Sequence, residues 1–488
     1  MESGGELVQS TRSNQTIVVD LDGTLLLTDT LIESLFLLVL NSPLSLLMLP
    51  LWLGRGRAYT KRKIAERVQP DVTTLPYNLE LLSWLEKQSD EGRDLVLCTA
   101  ADNSIAERIA SHLGIFSRVL ASDGIVNMKG TEKARVLVGI FGENGFCYAV
   151  DSRADIDVWQ VSASAVVCNA TDFLVTRVTS ICSIETIIPR NRITVNHILQ
   201  SMRLHQWAKN ALIFVPVLAA HKLDSLETLA TLLLAFISIS FCASSVYILN
   251  DLLDLENDRQ HPRKRQRVFA SGAAPLWLGI ILSPLFLAVS IILSLSIGLP
   301  FILCLGLYYS LTLLYSFKLK QYVLIDCLLL AALYTIRIFA GAAAIYMGVS
   351  FWLLAFSIFL FLSLAFVKRY AELTDTENKG LTRVSGRGYR ISDSDIVKTM
   401  GIVAGYISVL ILALYIDSNA SESLYVFPEL VWGCVAILLY WISWIWVIAS
   451  RGEMHDDPLV FALSERVSLV SGLLFCAVAL LGSIGPPW

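Results

Sequence analysis

Beyond about residue 190 the chain consists of apolar runs close to twenty residues long, near 207–222, 225–249, 275–296, 299–316, 323–347, 350–367, 398–416, 428–449 and 464–485. A run of that length matches the hydrocarbon thickness of a bilayer, and backbone in lipid can satisfy its own hydrogen bonds only as a helix or a closed barrel. The expectation is an all-α membrane domain of about nine transmembrane helices within 197–488. The stretch 207–222 is the weakest of the nine. With 55% hydrophobic and 16% charged residues among 488, the chain is too apolar for an ordinary soluble enzyme. Up to about residue 190, by contrast, it reads as a charged, mixed soluble domain, so two domains are expected: 14–190 after a polar tail, 1–13, and then the membrane part.

Basic residues set the orientation. Arg259, Arg263, Lys264, Arg265 and Arg267 follow the second run, Lys318 and Lys320 the fourth, and Arg451 the eighth. Lys368, Arg369, Lys379, Arg383, Arg387 and Arg390 follow the sixth. The alternate connections carry almost no bases beyond Lys222, and the one after the seventh run has the acids Asp417, Glu422 and Glu429. This puts the N-terminal domain in the cytoplasm and the C-terminus across the membrane, with a bacterial plasma membrane as the expected location. Glu2 and Glu6 stand where a secretory signal would carry bases. Nine cysteines without CxxC spacing suit a reducing compartment. A net charge of −4 does not suggest nucleic acid.

Within the soluble part, the strand-forming run Ile17-Val18-Val19 ends in Asp20-Leu-Asp-Gly-Thr24. A second such run, Asp94 to Thr99, ends in a hydroxyl, and a third, Cys147 to Asp151, in a carboxylate followed by Ser152 and Asp155. Helical patterns at Asn103 to Leu113 and Thr131 to Phe141 lie between them, so a parallel α/β sheet is expected, with its site at the carboxyl ends of the strands.

These residues resemble the four ordered motifs of the haloacid dehalogenase phosphatase superfamily: Asp20-x-Asp22-Gly-Thr24, Thr99, Lys133 in Gly-Thr-Glu-Lys-Ala, and Asp151-Ser-x-x-Asp155. The resemblance implies a Rossmann-like domain with a helical cap at about 27–90. It makes Asp20 the nucleophile that forms an aspartyl-phosphate and Asp22 the general acid/base. Thr99 and Lys133 would hold phosphoryl oxygens, and Asp20, Asp151 and Asp155, with Asp22 beside them, would hold Mg²⁺. The competing reading is a domain that keeps the motifs as a scaffold. In the cap position, Leu31 to Leu53 is as apolar as a span. A single crossing there would put Asp20 and Thr99 on opposite sides of the membrane. The expectation is therefore a greasy cap, followed at once by Arg55, Arg57, Lys61, Arg62 and Lys63, that lies on an anionic membrane surface or is buried against its own core.

Between the second and third apolar runs stands Asn250-Asp-Leu-Leu-Asp-Leu-Glu-Asn-Asp258, with bases continuing to Arg267. On a helix Asp251, Asp254 and Asp258 share one face, where their carboxylates repel unless a cation binds. The alternative is a solvated loop whose acids balance the bases that follow. The pattern Asn-Asp-x-x-Asp-x-x-x-Asp after a second span resembles the UbiA superfamily of intramembrane prenyltransferases, over essentially all of 197–485. The resemblance makes Asn250, Asp251, Asp254 and Asp258 a site for Mg²⁺ and a diphosphate.

Prenyl-donor members carry a second acidic motif after the sixth span. Here that place reads Lys368-Arg369-Tyr-Ala-Glu372-Leu-Thr-Asp375. With Arg203-Leu-His-Gln206-Trp-Ala-Lys209-Asn210 before the first span, it looks like the polyprenyl-phosphate phosphoribosyltransferases. Their donor is phosphoribosyl diphosphate and their acceptor a polyprenyl phosphate lipid. The implied substrate-binding residues are Arg203, Gln206, Lys209, Asn210, Arg265, Lys318, Lys320, Arg337, Lys368, Arg369, Glu372, Arg387 and Tyr389. Arg337 lies mid-span and needs a partner, such as Asp326 or a bound phosphate. The expected product of the two domains acting in turn is polyprenyl-phosphoryl ribose. The alternatives are an aromatic prenyltransferase using a prenyl diphosphate, or a membrane-anchored lipid-phosphate phosphatase. Oligomeric state and isoprenoid length are not legible.

Overall fold

The computed structural model describes the chain apart from residues 1–14, 153–154, 170, 190–192, 223–224, 381, 383–386, 423, 455–456 and 485–488. The tail 1–13 and Arg383 thus lie outside the described residues. Two compact units form. One holds the chain up to Ser201 together with Ile248–Leu282, and the other holds Met202–Tyr247 and Ser283 onward.

In the first unit the strands are β1 (Thr16–Val19), β2 (Leu95–Asp102), β3 (Arg118–Ser122), β4 (Phe146–Val150), β5 (Ser164–Cys168) and β6 (Ser183–Ile188). They form one sheet in the order β3-β2-β1-β4-β5-β6, with every pairing parallel. Side chains alternate across a strand, so each face has its own core. Ile17 and Val19 pack with Leu95, Leu97, Leu81, Leu85 and Ile109 on one face. Val18 packs with Val96, Tyr148, Leu137 and Trp159 on the other. Both faces are covered, so the strands read as unbroken apolar runs. Chain order reverses at β1, whose neighbours are β2 and β4, and such a switch point opens a crevice at the carboxyl ends of the strands.

The insertion between β1 and β2 folds as short helices, Thr30–Asn41, Pro43–Met48, Leu49–Gly54 and Arg57–Ala65, around a small core of Leu38, Trp52, Ile64 and Val68. Asp29 caps the first by accepting from the Ile32 N–H at 3.0 Å. The helix Leu79–Asp90, also within 27–90, instead sends Leu81 and Leu85 into the sheet core.

Eight helices among the described residues are long and apolar enough to cross a membrane: Leu226–Leu253, Leu276–Leu295, Leu299–Phe317, Ile325–Ala344, Phe351–Asn378, Ile391–Ile416, Pro428–Ser450 and Arg466–Ile484. The expected span at 207–222 is instead a 3₁₀ helix, Leu204–Phe214, and one turn, Val215–Ala219. Pro216 stands at the junction, and Lys209 and Asn210 are buried on polar partners rather than facing lipid.

Candidate functional site

β1 delivers Asp20 to the carboxyl edge of the sheet, where its backbone N–H donates to Ala149 at 3.0 Å. The chain then turns at Gly23, whose φ of +79° favours glycine and whose added Cβ would lie 2.4 Å from Asp151 Oδ2. That close approach lets the Thr24 hydroxyl donate to Asp151 at 3.4 Å and accept from its N–H at 3.1 Å. Lys133, 1% exposed, comes from the helix Thr131–Phe141. It donates to Asp20 Oδ1 and to the Tyr148 hydroxyl at 2.8 Å each, and lies 3.7 Å from Asp155. Burial opposes the charge on Lys133, but Asp20, Tyr148 and Asp155 outweigh it and hold the amine well above its ordinary range.

The neighbouring carboxyls are raised as well, which for an acid favours the neutral form. Burial, reinforced by the charges of Asp29 and Asp20, raises Asp22 to about 7 against the Thr30 hydrogen bonds of 2.7 and 3.2 Å. Burial, with Asp20 adding, raises Asp151 to about 7. Asp155 is also raised, chiefly by burial. A carboxyl titrating near neutrality can both give and take a proton. Asp22 lines a cavity of about 310 Å³ with Asp29, Thr30, Arg57, Lys61, Asn127 and Lys129. Thr99 sits inside β2 rather than at its end, because the strand continues to Asp102. Its hydroxyl accepts from the Ala101 N–H at 3.0 Å.

The acidic segment is not one helix. Leu226–Leu253 ends, Asp254 breaks the turn, and Leu255–Gln260 resumes it. Even so, Arg267 Nη1 reaches Asp251 at 3.2 Å and Asp258 at 2.5 Å. Acids balanced by a following base is what a plain loop would give, but here Asp251 and Asp258 are 4% and 2% exposed, so they are buried rather than solvated. Burial raises Asp258, and Arg267 opposes the shift. Arg259 turns away from these acids. Its Nη2 donates to Glu33 Oε1 at 2.6 Å and its Nη1 to Oε2 at 3.1 Å, while Nε donates to the Ala270 carbonyl. The Asp71 N–H donates to Glu256 at 2.9 Å nearby, and Arg265 is exposed.

Among the described residues, no three His, Cys, Asp or Glu side chains are gathered as a ready metal cage. In each acid set a base does the neutralising, Lys133 in one and Arg267 in the other. The oxygen donors suit a hard cation, and their compensation by an internal base marks both places as ones that require positive charge.

In the second unit Lys209 and Lys368 share one carboxylate, Asp457, at 2.8 and 3.0 Å, and Tyr334 donates to it at 2.9 Å. Burial works against ionisation of Asp457, but Lys368 and Lys209 outweigh it and hold the carboxyl well below its usual range. Sequence reasoning missed Asp457; its signal was an acid directly before Pro458 in the connection that Arg451 opens.

Arg337 does not pair with Asp326. Its Nε donates to Asn210 at 2.8 Å, Nη2 to Tyr308 at 3.0 Å and Nη1 to the Leu333 carbonyl. Asp326 serves Arg369 at 2.5 Å and the Tyr389 hydroxyl at 2.7 Å instead. Arg369 also pairs with Glu372, which takes Arg387 at 3.0 Å. Lys318 is exposed, Lys320 and Gln206 are half-buried, and the Arg203 guanidinium lies 5.5 Å from the Tyr247 ring centre.

A helical membrane bundle carrying an aspartate-rich segment after a long span defines a class of intramembrane enzyme. Residues 211–464 match the UbiA prenyltransferase family, and the chain belongs to it. It is an integral membrane protein, similar to three curated relatives in particular. The uncharacterised protein y4nM of Sinorhizobium fredii is 35% identical, over 94% of this chain and 90% of that one. The nodulation protein NoeC of Azorhizobium caulinodans is 37% identical, over 59% of this chain and 95% of that one. The decaprenyl-phosphate phosphoribosyltransferase of Mycolicibacterium smegmatis is 29% identical, over 61% of this chain and 93% of that one.

Proposed function

We propose that the membrane half transfers 5-phosphoribose from phosphoribosyl diphosphate to a polyprenyl phosphate, and that the N-terminal domain then removes the 5-phosphate to give polyprenyl-phosphoryl ribose. The observation that carries the first step is the basic character of the segment where prenyl-donor enzymes are acidic. Lys209 and Lys368 converge on Asp457, and Arg369 and Arg387 converge on Glu372. Such a set suits substrates bearing several phosphates, with arginine giving two-pronged contacts and lysine point charge. Similarity to decaprenyl-phosphate phosphoribosyltransferases supports the same reading.

In this reaction a lipid phosphate oxygen forms a bond to the anomeric carbon while the bond from that carbon to diphosphate breaks, the electron pair leaving with diphosphate. The phosphate is nucleophilic without a protein base. Asp251, Asp254 and Asp258, with Asn250, are the residues that would hold Mg²⁺, which when bound neutralises charge on the departing diphosphate. Arg267 would give up its hold on Asp251 and Asp258 when that charge arrives.

In the second reaction an Asp20 oxygen attacks phosphorus, forming an aspartyl-phosphate, while the ribose 5-oxygen leaves with the proton of Asp22. Asp22 then takes a proton from water, whose oxygen attacks phosphorus, releasing inorganic phosphate and restoring Asp20. Lys133 offsets the mutual repulsion of carboxylate and phosphate, with Thr99 assisting at the phosphoryl oxygens. Asp20, Asp151 and Asp155 would share Mg²⁺. The placement of Asp22, titrating near 7 in a cavity also lined by Arg57, Lys61 and Lys129, supports this role. The basic connections favour placing this domain on the cytoplasmic side, and similarity to bacterial relatives supports a bacterial plasma membrane.

Supplying donor labelled in the pentose, polyprenyl phosphate and Mg²⁺ to the purified protein tests the proposal: label should enter the organic phase as a lipid-linked pentose. Label that stays aqueous would overturn it.

A further inference from the structure

The cap has a core of its own, so its remaining leucines are not left over from packing. Leu38 and Trp52 point inward with Ile64 and Val68, while Leu44 is 80% exposed, Leu47 76%, Leu51 64% and Leu53 59%. Leu44 and Leu47 stand one turn apart in the 3₁₀ helix Pro43–Met48, and Leu51 and Leu53 follow in Leu49–Gly54. A cluster of large exposed leucines on one small element marks a surface that something covers.

Three observations identify what covers it. Arg55 and Arg57, both exposed, stand at the end of the leucine face, the arrangement that suits apolar insertion beside anionic headgroups. Second, the cap is bonded to the connection between two membrane-crossing helices. The Glu33–Arg259 pair and the Asp71 N–H to Glu256 bond tie it to the segment between Leu226–Leu253 and Leu276–Leu295. Such a connection lies at a membrane surface, so an element fastened to it does too. Third, Leu53 and Arg57 also line the cavity that holds Asp22, so the face and the cavity share a border.

We propose that the exposed cap leucines Leu44, Leu47, Leu51 and Leu53 insert into the interfacial layer of an anionic leaflet of the protein's own membrane, so that the Asp22 cavity receives phosphate monoesters carried on membrane lipid in preference to soluble ones. The docking stands on the exposed face and the clamp; the substrate class rests on the phosphatase reading. Arg57 and Lys61, with the neighbouring Lys129, supply the charge to draw in a phosphate whose lipid tail stays in the leaflet.

The full-length protein in bilayer nanodiscs of phosphatidylglycerol and phosphatidylcholine provides the test. A benzoylphenylalanine replacing Leu47 or Leu51 should form lipid adducts on illumination, as one replacing the span residue Leu285 should. One replacing Leu79, an exposed leucine outside the cap, should not. Absence of lipid adducts at 47 and 51 while 285 reacts would overturn the docking, as would adducts to a second copy of the chain. A Leu44→Ser, Leu47→Ser, Leu51→Ser variant should lose about tenfold in kcat/KM toward a bilayer-held lipid phosphate monoester, with hydrolysis of p-nitrophenyl phosphate unchanged. Equal change on both substrates, or none on either, would overturn the substrate preference. A wild-type protein that hydrolyses neither would overturn the phosphatase reading and with it the substrate class, leaving the crosslinks to decide the docking.

Discussion

Glu33 and Arg259 lie 226 residues apart in sequence and form a two-pronged, fully enclosed ion pair, with oxygen-to-nitrogen distances of 2.6 and 3.1 Å. The Thr28 hydroxyl donates to Glu33 at 2.7 Å and Arg259 donates to Ala270, so the remaining valences are used as well. In low dielectric, removing one partner strands a charge, whereas removing both with apolar groups of similar size does not. Glu33→Gln or Arg259→Met is expected to cost about 3–5 kcal/mol, read as a lower thermal midpoint in detergent. A Glu33→Leu, Arg259→Met double variant should lose less than either single change.

Asp20→Asn removes the oxygen assigned to attack phosphorus while keeping a hydrogen-bonding group near Lys133. Phosphate release from the lipid product should fall on the order of 10³-fold or more. Transfer of labelled pentose into lipid should continue, and thin-layer chromatography should show the 5-phosphorylated lipid accumulating. Unchanged phosphate release would argue against the assignment.

Asp254→Ala should reduce pentose transfer to background while leaving p-nitrophenyl phosphate hydrolysis by the N-terminal domain intact. Chelation of divalent cations should stop both reactions, and added Mg²⁺ should restore them. Lipid product formed at the wild-type rate by the Asp254 variant would point instead to a membrane half that only anchors the phosphatase.

Asp457 carries a pH signature. Its carboxyl is depressed from an ordinary value of 3.8, so the folded state binds its proton less readily than the unfolded state. Its contribution to stability is thus fully present above pH 3.8 and is lost as the pH falls below that through the depressed folded value. Asp457→Asn should lower the thermal midpoint at neutral pH, and the part of the gap that this carboxyl contributes should close only under strongly acid conditions. Lys209 and Lys368 lose their shared partner in this variant, so KM for the phosphorylated donor is expected to rise several-fold as well.

Local patterns in the chain carry much of this architecture. The runs at Ile17, Leu95 and Cys147 do become parallel strands, because an unbroken apolar run is what a sheet covered on both faces demands. The long apolar helices were legible from length alone. At 207–222 hydropathy misled, since Lys209 and Asn210 are buried through partners at Asp457 and Ser240 that no local window contains. Partner choice was the illegible layer. For Arg337 the sequence offers a charged partner, Asp326 or a bound phosphate, yet within the protein a neutral amide, a phenol and a carbonyl satisfy the guanidinium. Tyr148 and Asp457 escaped notice for the same reason: each matters through a residue far away in sequence, Lys133 or the Lys209 and Lys368 pair.

The first unit is discontinuous in sequence, and the clamp between Glu33 and Arg259 closes across that gap. A fragment ending near residue 190 would therefore not be a smaller version of the domain. It would carry a buried carboxylate stripped of its counter-charge, with Leu27 and Pro76 bared where Gly272 now packs. Any dissection of this protein for expression or crystallisation would do better to graft Ile248–Leu282 back as a tethered loop than to cut at the apparent linker. By the same logic, two polypeptides split between residues 190 and 197 and produced in one cell should find each other and behave as a single enzyme.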